Sequence, residues 1–395
     1  MIKNIPLKIA IGAIVKNEAD YLLEWVAYHW VVGVRHFLIA SNDSTDGSNA
    51  ILQKLAKLGL VTFVDFPTVG AIKPQMPAYK KLASICPKDI DVIAFIDADE
   101  YLTPLDGNLT IIPFIETMFA DSEISAIAMQ WACFGSAGQL FKEEGMVIER
   151  FTRQSAKKFT ANNNYKTIVR VSAIKKFRNP HYVTLKSGRY VNTAGEDIAS
   201  VAEKLGVAVT PIWDKLRVNH YVVKSLEEFV IGKSRKGSAA SKGRIKHKDY
   251  FINHDRNEVE WAYPEPLLYQ VRETLDGLQN VLQKLNVDEV KKSWFSASKL
   301  NKLQKRDKEL IEKSGVFDRT WYLLCYPDVA NAGLDPVEHF LRFGVAEKRN
   351  PTEFFDLEFY VSRYQDVAKA SMNPFIHYLK FGNEEGRLPN AKHLS

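Results

Sequence analysis

The stretch Asp91-Val-Ile-Ala-Phe-Ile-Asp97-Ala-Asp99-Glu100-Tyr-Leu102 reads as a strand that runs into acid. Its apolar part, Val92 to Ile96, predicts a strand buried on both faces. The run ends in three acids within four residues, Asp97, Asp99 and Glu100. In an open α/β sheet, ligands bind outside the carboxyl ends of the strands, where these acids are expected. Side chains alternate along an extended chain, so Asp97 and Asp99 are expected on the same side. Two carboxylates held so close repel unless a cation sits between them. Mg²⁺ or Mn²⁺ suits such an oxygen site, with substrate phosphates completing the shell. Acids also end strands and begin turns without any metal, and Asp-x-Asp alone is common, so the rest of the chain decides.

Residues 7–15 are apolar and β-rich and predict a first strand, ending at Lys16-Asn17-Glu18. Tyr21, Leu22, Trp25, Val26 and Trp30 then recur at helical spacing. A strand over 36–40 runs into the turn-rich Ser41-Asn-Asp43-Ser-Thr-Asp46-Gly47. A helix over 48–58, a strand over 61–66, a loop over 67–77 and a helix over 78–85 lead to the acidic strand. Strands alternating with helices imply a doubly wound, mostly parallel sheet.

The order Ile14-Val-Lys-Asn17-Glu18, Asn42-Asp43-Ser-Thr-Asp46-Gly47 and Phe95-Ile-Asp97-Ala-Asp99-Glu-Tyr101 resembles nucleotide-sugar glycosyltransferases of the GT-A fold, in the branch of families 2 and 92. Trp131-Ala-Cys-Phe-Gly135-Ser136, Val147-Ile-Glu149-Arg-Phe151, Lys166-Thr-Ile-Val-Arg170 and Asn219-His220-Tyr221 agree in order. The resemblance covers about residues 8–237. It implies a Rossmann-like GT-A sheet over residues 1–250, with a basic loop at 232–249.

It also implies chemistry. A sugar leaves a nucleoside diphosphate, and a divalent cation (Mn²⁺ or Mg²⁺) neutralises the diphosphate. Asp97 and Asp99 are the expected ligands, Asp99 first, with His220 as a third. A strand-end His held in the core is the plainer alternative for His220. Asn17, Glu18 and Asp43 are placed to meet base or ribose, while Asp46 reads as a cap for the following helix. Trp131 offers a ring and Gly135 a close backbone approach for the donor or acceptor sugar; a core Trp beside a hairpin turn is the alternative. Lys73, Lys166 and Arg170 are cations for phosphate. An inverting transfer needs a base for the acceptor hydroxyl, and Glu149, Glu196 and Asp197 are the candidates, with Glu149 slightly ahead.

The chain has 395 residues, a net charge of +6, 46% hydrophobic and 25% charged residues, values ordinary for a soluble globular protein of two or three domains. Its three cysteines, Cys86, Cys133 and Cys325, make neither a disulfide framework nor a zinc pattern. With no apolar run of transmembrane length and no secretory start, a cytoplasmic protein is expected. The basic run Lys233, Arg235, Lys236, Lys242, Arg244, Lys246 and Lys248 reads as a lid over the diphosphate. A solvated linker, or peripheral contact with the inner membrane surface, are its alternatives. Nucleic acid is not expected, because the run lacks interleaved aromatics.

Residues 251–315 predict a helical arm, with an apolar stripe from Leu267 to Leu285. Residues 316–395 hold two copies of one unit at an offset of 38: Tyr322 recurs as Tyr360, His339 as His377, Phe343-Gly344 as Phe381-Gly382 and Arg349 as Arg387. The units are expected to be small, all-α and stacked. They resemble repeats appended to bacterial glycosyltransferases and surface-polysaccharide proteins, with a protein or glycan as partner. Their histidines are expected to be structural.

The expected function is transfer of a sugar, from a UDP-sugar by the family resemblance, to a glycan or glycoconjugate acceptor in cell-surface polysaccharide synthesis. The alternative is a non-catalytic scaffold that holds a glycan or nucleotide sugar while the repeats recruit partners. A nucleotidyltransferase is disfavoured because Ile14-Val-Lys-Asn-Glu18 has no glycine.

Overall fold

In a computed structural model the described residues are 7–70, 72–198, 204–236, 246–284, 302–331, 334–369 and 372–391. The chain divides into two units, a larger one of Leu7–Ala56 and Leu60–Leu278 and a smaller one built mainly from Gln279–Ser395.

The larger unit is organised by β1 (Ile9–Val15), β2 (His36–Ser41), β3 (Val61–Asp65) and β4 (Val92–Phe95), which lie in the order β3-β2-β1-β4, all parallel. β1 and β4 are buried at every position, as their unbroken apolar runs require. Two helices cover opposite faces. Helix α1 (Ala19–Val31) sets Trp25 against Phe37, ring centroids 5.8 Å apart. Alternate residues of the same strands, Leu38, Ala40, Ile93 and Phe95, form one cluster with Tyr79 and Leu82 of α3 (Gln75–Ser84). Gly12 of β1 lies under the Phe95 ring, and a Cβ there would come within 2.6 Å of it.

Beyond β4 the sheet turns mixed. The strands are β5 (Glu100–Pro104), β6 (Ile124–Phe134), β7 (Arg153–Gln154), β8 (Tyr165–Arg170), β9 (Ile174–Asn179), β10 (Tyr182–Leu185), β11 (Arg189–Asn192), β12 (Leu216–Tyr221) and β13 (Val259–Glu260). β8 runs antiparallel between β4 and β6, and β12 pairs with β6 in parallel and with β5 in antiparallel fashion. β9 and β10 form a separate hairpin. This is the mostly parallel, Rossmann-like GT-A sheet expected from the sequence, with an antiparallel part made by β5 and by strands from residue 124 onward.

The buried histidine of α1 has partners on both ring nitrogens. His29 is fully buried. Its Nδ1 lies 2.8 Å from the Trp25 carbonyl, and its Nε2 accepts the Leu102 N–H at 3.2 Å. Burial holds its pKa down to about 3. The unfolded chain therefore takes up a proton near pH 6.5 that the folded chain refuses. The contribution of His29 is complete above that pH and is lost as pH falls towards about 3. Chemical denaturation should give a stability flat above about pH 7.5 and falling below about 6.5, with His29 supplying up to about 1.4 kcal/mol per pH unit. A His29→Gln variant should be less stable at pH 7.5, with a slope shallower by one proton; an unchanged slope would contradict the assignment.

In the smaller unit, helix Lys302–Ser314 precedes helices Arg319–Cys325, Pro327–Asn331 and Pro336–His339, and then Leu357–Arg363, Gln365–Lys369 and Pro374–His377. The same contacts recur 38 residues apart. The Tyr322 hydroxyl meets His339 Nδ1 at 3.0 Å, and Tyr360 meets His377 at 3.1 Å. Arg349 pairs with Asp328 and Arg387 with Asp366, each at 2.8 Å. Phe375 of the second copy lies 5.8 Å from Phe340 of the first. Both histidines thus anchor tyrosines within their own copies. No helix among the described residues is long and apolar enough to cross a membrane.

Candidate metal and nucleotide site

β4 ends at Phe95, and Asp97 to Asp99 form a turn that leads into β5 at Glu100. The expectation that Asp97 and Asp99 project together rested on an extended chain, and the turn sends them to different partners. Asp97 Oδ2 accepts from Lys166 Nζ at 2.8 Å, and its Oδ1 accepts from Gln75 Nε2 at 3.1 Å and Tyr79 Oη at 3.4 Å. Asp99 Oδ2 is paired with Lys233 and lies 3.5 Å from His220 Nε2.

The sheet completes the cluster. In the β5–β12 ladder His220 stands opposite Glu100, and the Tyr221 N–H donates to the Asp99 carbonyl at 2.9 Å. Asp99, Glu100 and His220 each offer a ligand atom, all within 4.8 Å of one another, and form the metal-capable group among the described residues. Glu100 is fully buried. Its Oε2 accepts the Asp97 N–H at 2.9 Å and lies 3.4 Å from Lys166, while its Oε1 has no partner. His220 Nδ1 is also buried without a partner. Burial holds the His220 pKa down to about 4, so the imidazole is neutral near pH 7 and able to ligate. Two carboxylates and a neutral imidazole around an unpartnered buried oxygen fit a divalent cation.

The charges are unequal. Burial would raise the Asp99 carboxyl, yet Lys233 and His220 hold it well below its ordinary value. Burial likewise opposes Lys166 in lowering Asp97, and Lys166 prevails. Glu100 goes the other way: burial, with Asp97 and Asp99 nearby, outweighs Lys166 and raises it well above the usual range. Lys166 is entirely enclosed, and despite burial its two acids keep it charged. It is a structural counter-charge in this arrangement. Arg170, the other cation of the same strand, donates to the carbonyls of Phe119 and Ile124 at 2.5 and 2.9 Å. Lys73 is exposed.

Asp99 lines a cleft of about 680 Å³, together with Lys16, Asn17, Glu18, Lys233 and Arg235. Asn17 adopts a φ of 54° at the end of β1, and its Oδ1 accepts the Thr45 N–H at 2.7 Å. Asp46 accepts from Ala19 N–H at 2.9 Å and from Ser48 Oγ at 2.6 Å, which ties the starts of α1 and of α2 (Ser48–Lys57) to one carboxylate. Asp43 is exposed, and its Oδ2 accepts from Thr68 Oγ1 at 2.6 Å, bracing the loop.

Trp131 packs its ring on His220 at 4.4 Å and on His181 at 5.2 Å. Its Nε1 is buried without a partner. Gly135 is approached by protein: a Cβ there would come within 2.4 Å of Asn257 Oδ1 and 2.5 Å of the Arg256 carbonyl. The next two N–H groups donate to Asp255 at 2.6 Å and Asn257 at 2.8 Å. Gly135→Ala should therefore cost about 1–3 kcal/mol by forcing this segment apart. Urea denaturation would read this as a lower midpoint with unchanged m-value.

The three candidate bases lie outside the lining of the cleft. Glu149 accepts the Met146 N–H at 3.3 Å and pairs with Arg272. Glu196 and Asp197 sit in an exposed turn, bonded to Asn192 at 3.1 Å and to Arg189 at 2.9 Å. Arg150 pairs at 2.7 Å not with its neighbour Glu149 but with buried Glu228. Glu100 was visible as the third acid of the opening stretch, but only the β5–β12 pairing turns it towards His220. Of the basic run, Lys242 and Arg244 lie outside the described residues.

Residues 9–203 match the family model described as Glycosyltransferase family 92. A curated family 92 protein of Oryza sativa subsp. japonica is 28% identical over 185 residues, covering 45% of this chain and 30% of the relative. The chain thus spans less than a third of the curated relative it matches. Among solved structures, Staphylococcus aureus TarS 1-349 in complex with UDP-GlcNAc is 14% identical with a TM-score of 0.31, covering 89% of this chain and 95% of that one. Glucosyl-3-phosphoglycerate synthase from Mycobacterium tuberculosis, in complex with Mn²⁺, UDP and phosphoglyceric acid, is 12% identical with a TM-score of 0.28, covering 47% and 69%. Likenesses of that size place no residue. The strand order of the larger unit and the match over residues 9–203 together identify a GT-A domain that resembles the family 92 glycosyltransferases.

Proposed function

We propose that the protein is a metal-dependent glycosyltransferase that moves a sugar from a nucleoside-diphosphate sugar to a hydroxyl of a glycan or glycoconjugate. The observation that carries this reading is the group Asp99, Glu100 and His220 on the edge of a cleft at the carboxyl ends of β1 and β4. A divalent cation held by those three would neutralise the charge that develops on the leaving diphosphate. Mn²⁺ is favoured over Mg²⁺ because one donor is an imidazole. Asn17 and Glu18, which line the same cleft, are proposed to bind the nucleoside. Trp131, fixed against His220, is proposed to carry a sugar face. An inverting transfer and a UDP donor follow from the family resemblance, as does a role in cell-surface polysaccharide synthesis. The base must come within hydrogen-bond reach of the acceptor hydroxyl, so a carboxylate facing the cleft is proposed for it.

Isothermal titration of UDP with and without Mn²⁺ tests the reading. Binding that needs Mn²⁺ is the expected result. Equal affinity without any divalent ion would refute the metal site, and no binding of any nucleoside diphosphate would refute the enzyme reading in favour of a glycan-binding scaffold.

A further inference from the structure

The acidic turn is met by two lysines held in very different ways. Lys166 belongs to β8, an interior strand paired on both sides, and its side chain has no exposed surface. Lys233 instead closes a single π-helical turn, Phe229–Lys233, with Gly232 before it and Ser234 after it. Such turns are rare and concentrate at functional sites. Its side chain retains 22% of its exposure and borders the cleft, as Arg235 does. Both the Lys233 ammonium and the His220 imidazole address one oxygen, Asp99 Oδ2. That carboxylate is also the one Asp99 offers to the metal-capable group.

A dication at Asp99, Glu100 and His220 would find an ammonium already seated on one of its ligands. The two like charges cannot share that carboxylate without strong repulsion. Lys166 has no route out. Lys233 has one, because its own side chain already lines the open cleft.

We propose that Lys233 and the divalent cation compete for Asp99, and that loading the metal releases the Lys233 ammonium to bind the donor's diphosphate. In the metal-free protein Lys233 is then a stand-in cation that keeps the buried acids compensated. In the loaded protein it is a phosphate-binding residue. The competition rests on the metal-site reading above and on the geometry of Asp99; the second role rests also on the nucleotide-sugar reading.

Titration of the full chain with Mn²⁺ alone, and then with UDP at saturating Mn²⁺, separates the two halves. Lys233→Met should bind Mn²⁺ about tenfold more tightly than the wild type, because a competitor has been removed. Lys233→Arg, which keeps the charge, should stay close to the wild type. With Mn²⁺ saturating, Lys233→Met should bind UDP about tenfold more weakly, having lost a charge-assisted hydrogen bond. Opposite signs for metal and nucleotide are the signature, and neither misfolding nor a merely structural role produces them. Mn²⁺ affinity unchanged or weakened in Lys233→Met overturns the competition. Tighter Mn²⁺ binding with unchanged UDP affinity overturns the transfer to the diphosphate. If the wild type binds Mn²⁺ but no UDP, the nucleotide-sugar reading fails and the competition is judged by the Mn²⁺ arm, with far-UV circular dichroism confirming that each variant is folded.

Discussion

Asp99→Ala should lower kcat/KM for sugar transfer by about a thousandfold or more, which corresponds to about 4 kcal/mol of transition-state stabilisation. The expectation follows from what else surrounds the carboxylate. Asp99 is the one member of the metal-capable group that also lines the cleft. Glu100 stands behind it, wholly buried, and His220 is nearly so. Removing Asp99 therefore takes away the ligand that faces the substrate and leaves the two interior donors in place. The loss should fall on kcat and on the metal requirement together. The fold should survive: the backbone bond from Tyr221 to the Asp99 carbonyl does not depend on the side chain. Initial rates against UDP-sugar across a Mn²⁺ series would check this. A variant within threefold of wild type would show that the acid does not hold the catalytic metal.

The parallel sheet and the succession of its strands and helices along the chain were readable from the sequence because both signals are local. Unbroken apolar runs at 9–15 and 92–95, separated by helical periodicity, leave few ways to arrange β1, α1, β2 and β4. The partners of the acids were not readable, because they depend on pairings between distant strands. Lys166 reads as a phosphate-binding cation when only its neighbours are known. The β4–β8 register sets Phe95 against Thr167, which carries Lys166 past the end of β4 and under the turn. Glu100 likewise becomes a candidate ligand only through its place opposite His220. Gly135 was read for closeness to a sugar; closeness was the right property, but the neighbour is the segment at 256–257. A glycine records that something comes near and is silent about what.

Lys166→Met should destabilise the fold by about 2–3 kcal/mol, lowering the melting temperature by about 5 °C. The side chain has no exposed surface and sits 2.8 Å from Asp97 and 3.4 Å from Glu100. Methionine matches its length and supplies no charge, so the change isolates electrostatics from packing. Asp97, whose side chain keeps about a third of its exposure, would keep Gln75 and Tyr79 but lose the cation that lowers its carboxyl. A double-mutant cycle distinguishes this from a general packing defect. Asp97→Asn removes the charge that Lys166 compensates, so the double variant should recover part of the loss and be more stable than Lys166→Met alone. Additive losses would mean that the two side chains are independent, and that something other than this ion pair holds the turn. If the coupling is found, Lys166 is a fixed internal cation: it keeps Asp97 anchored and Glu100 in place while Asp99 faces the cleft.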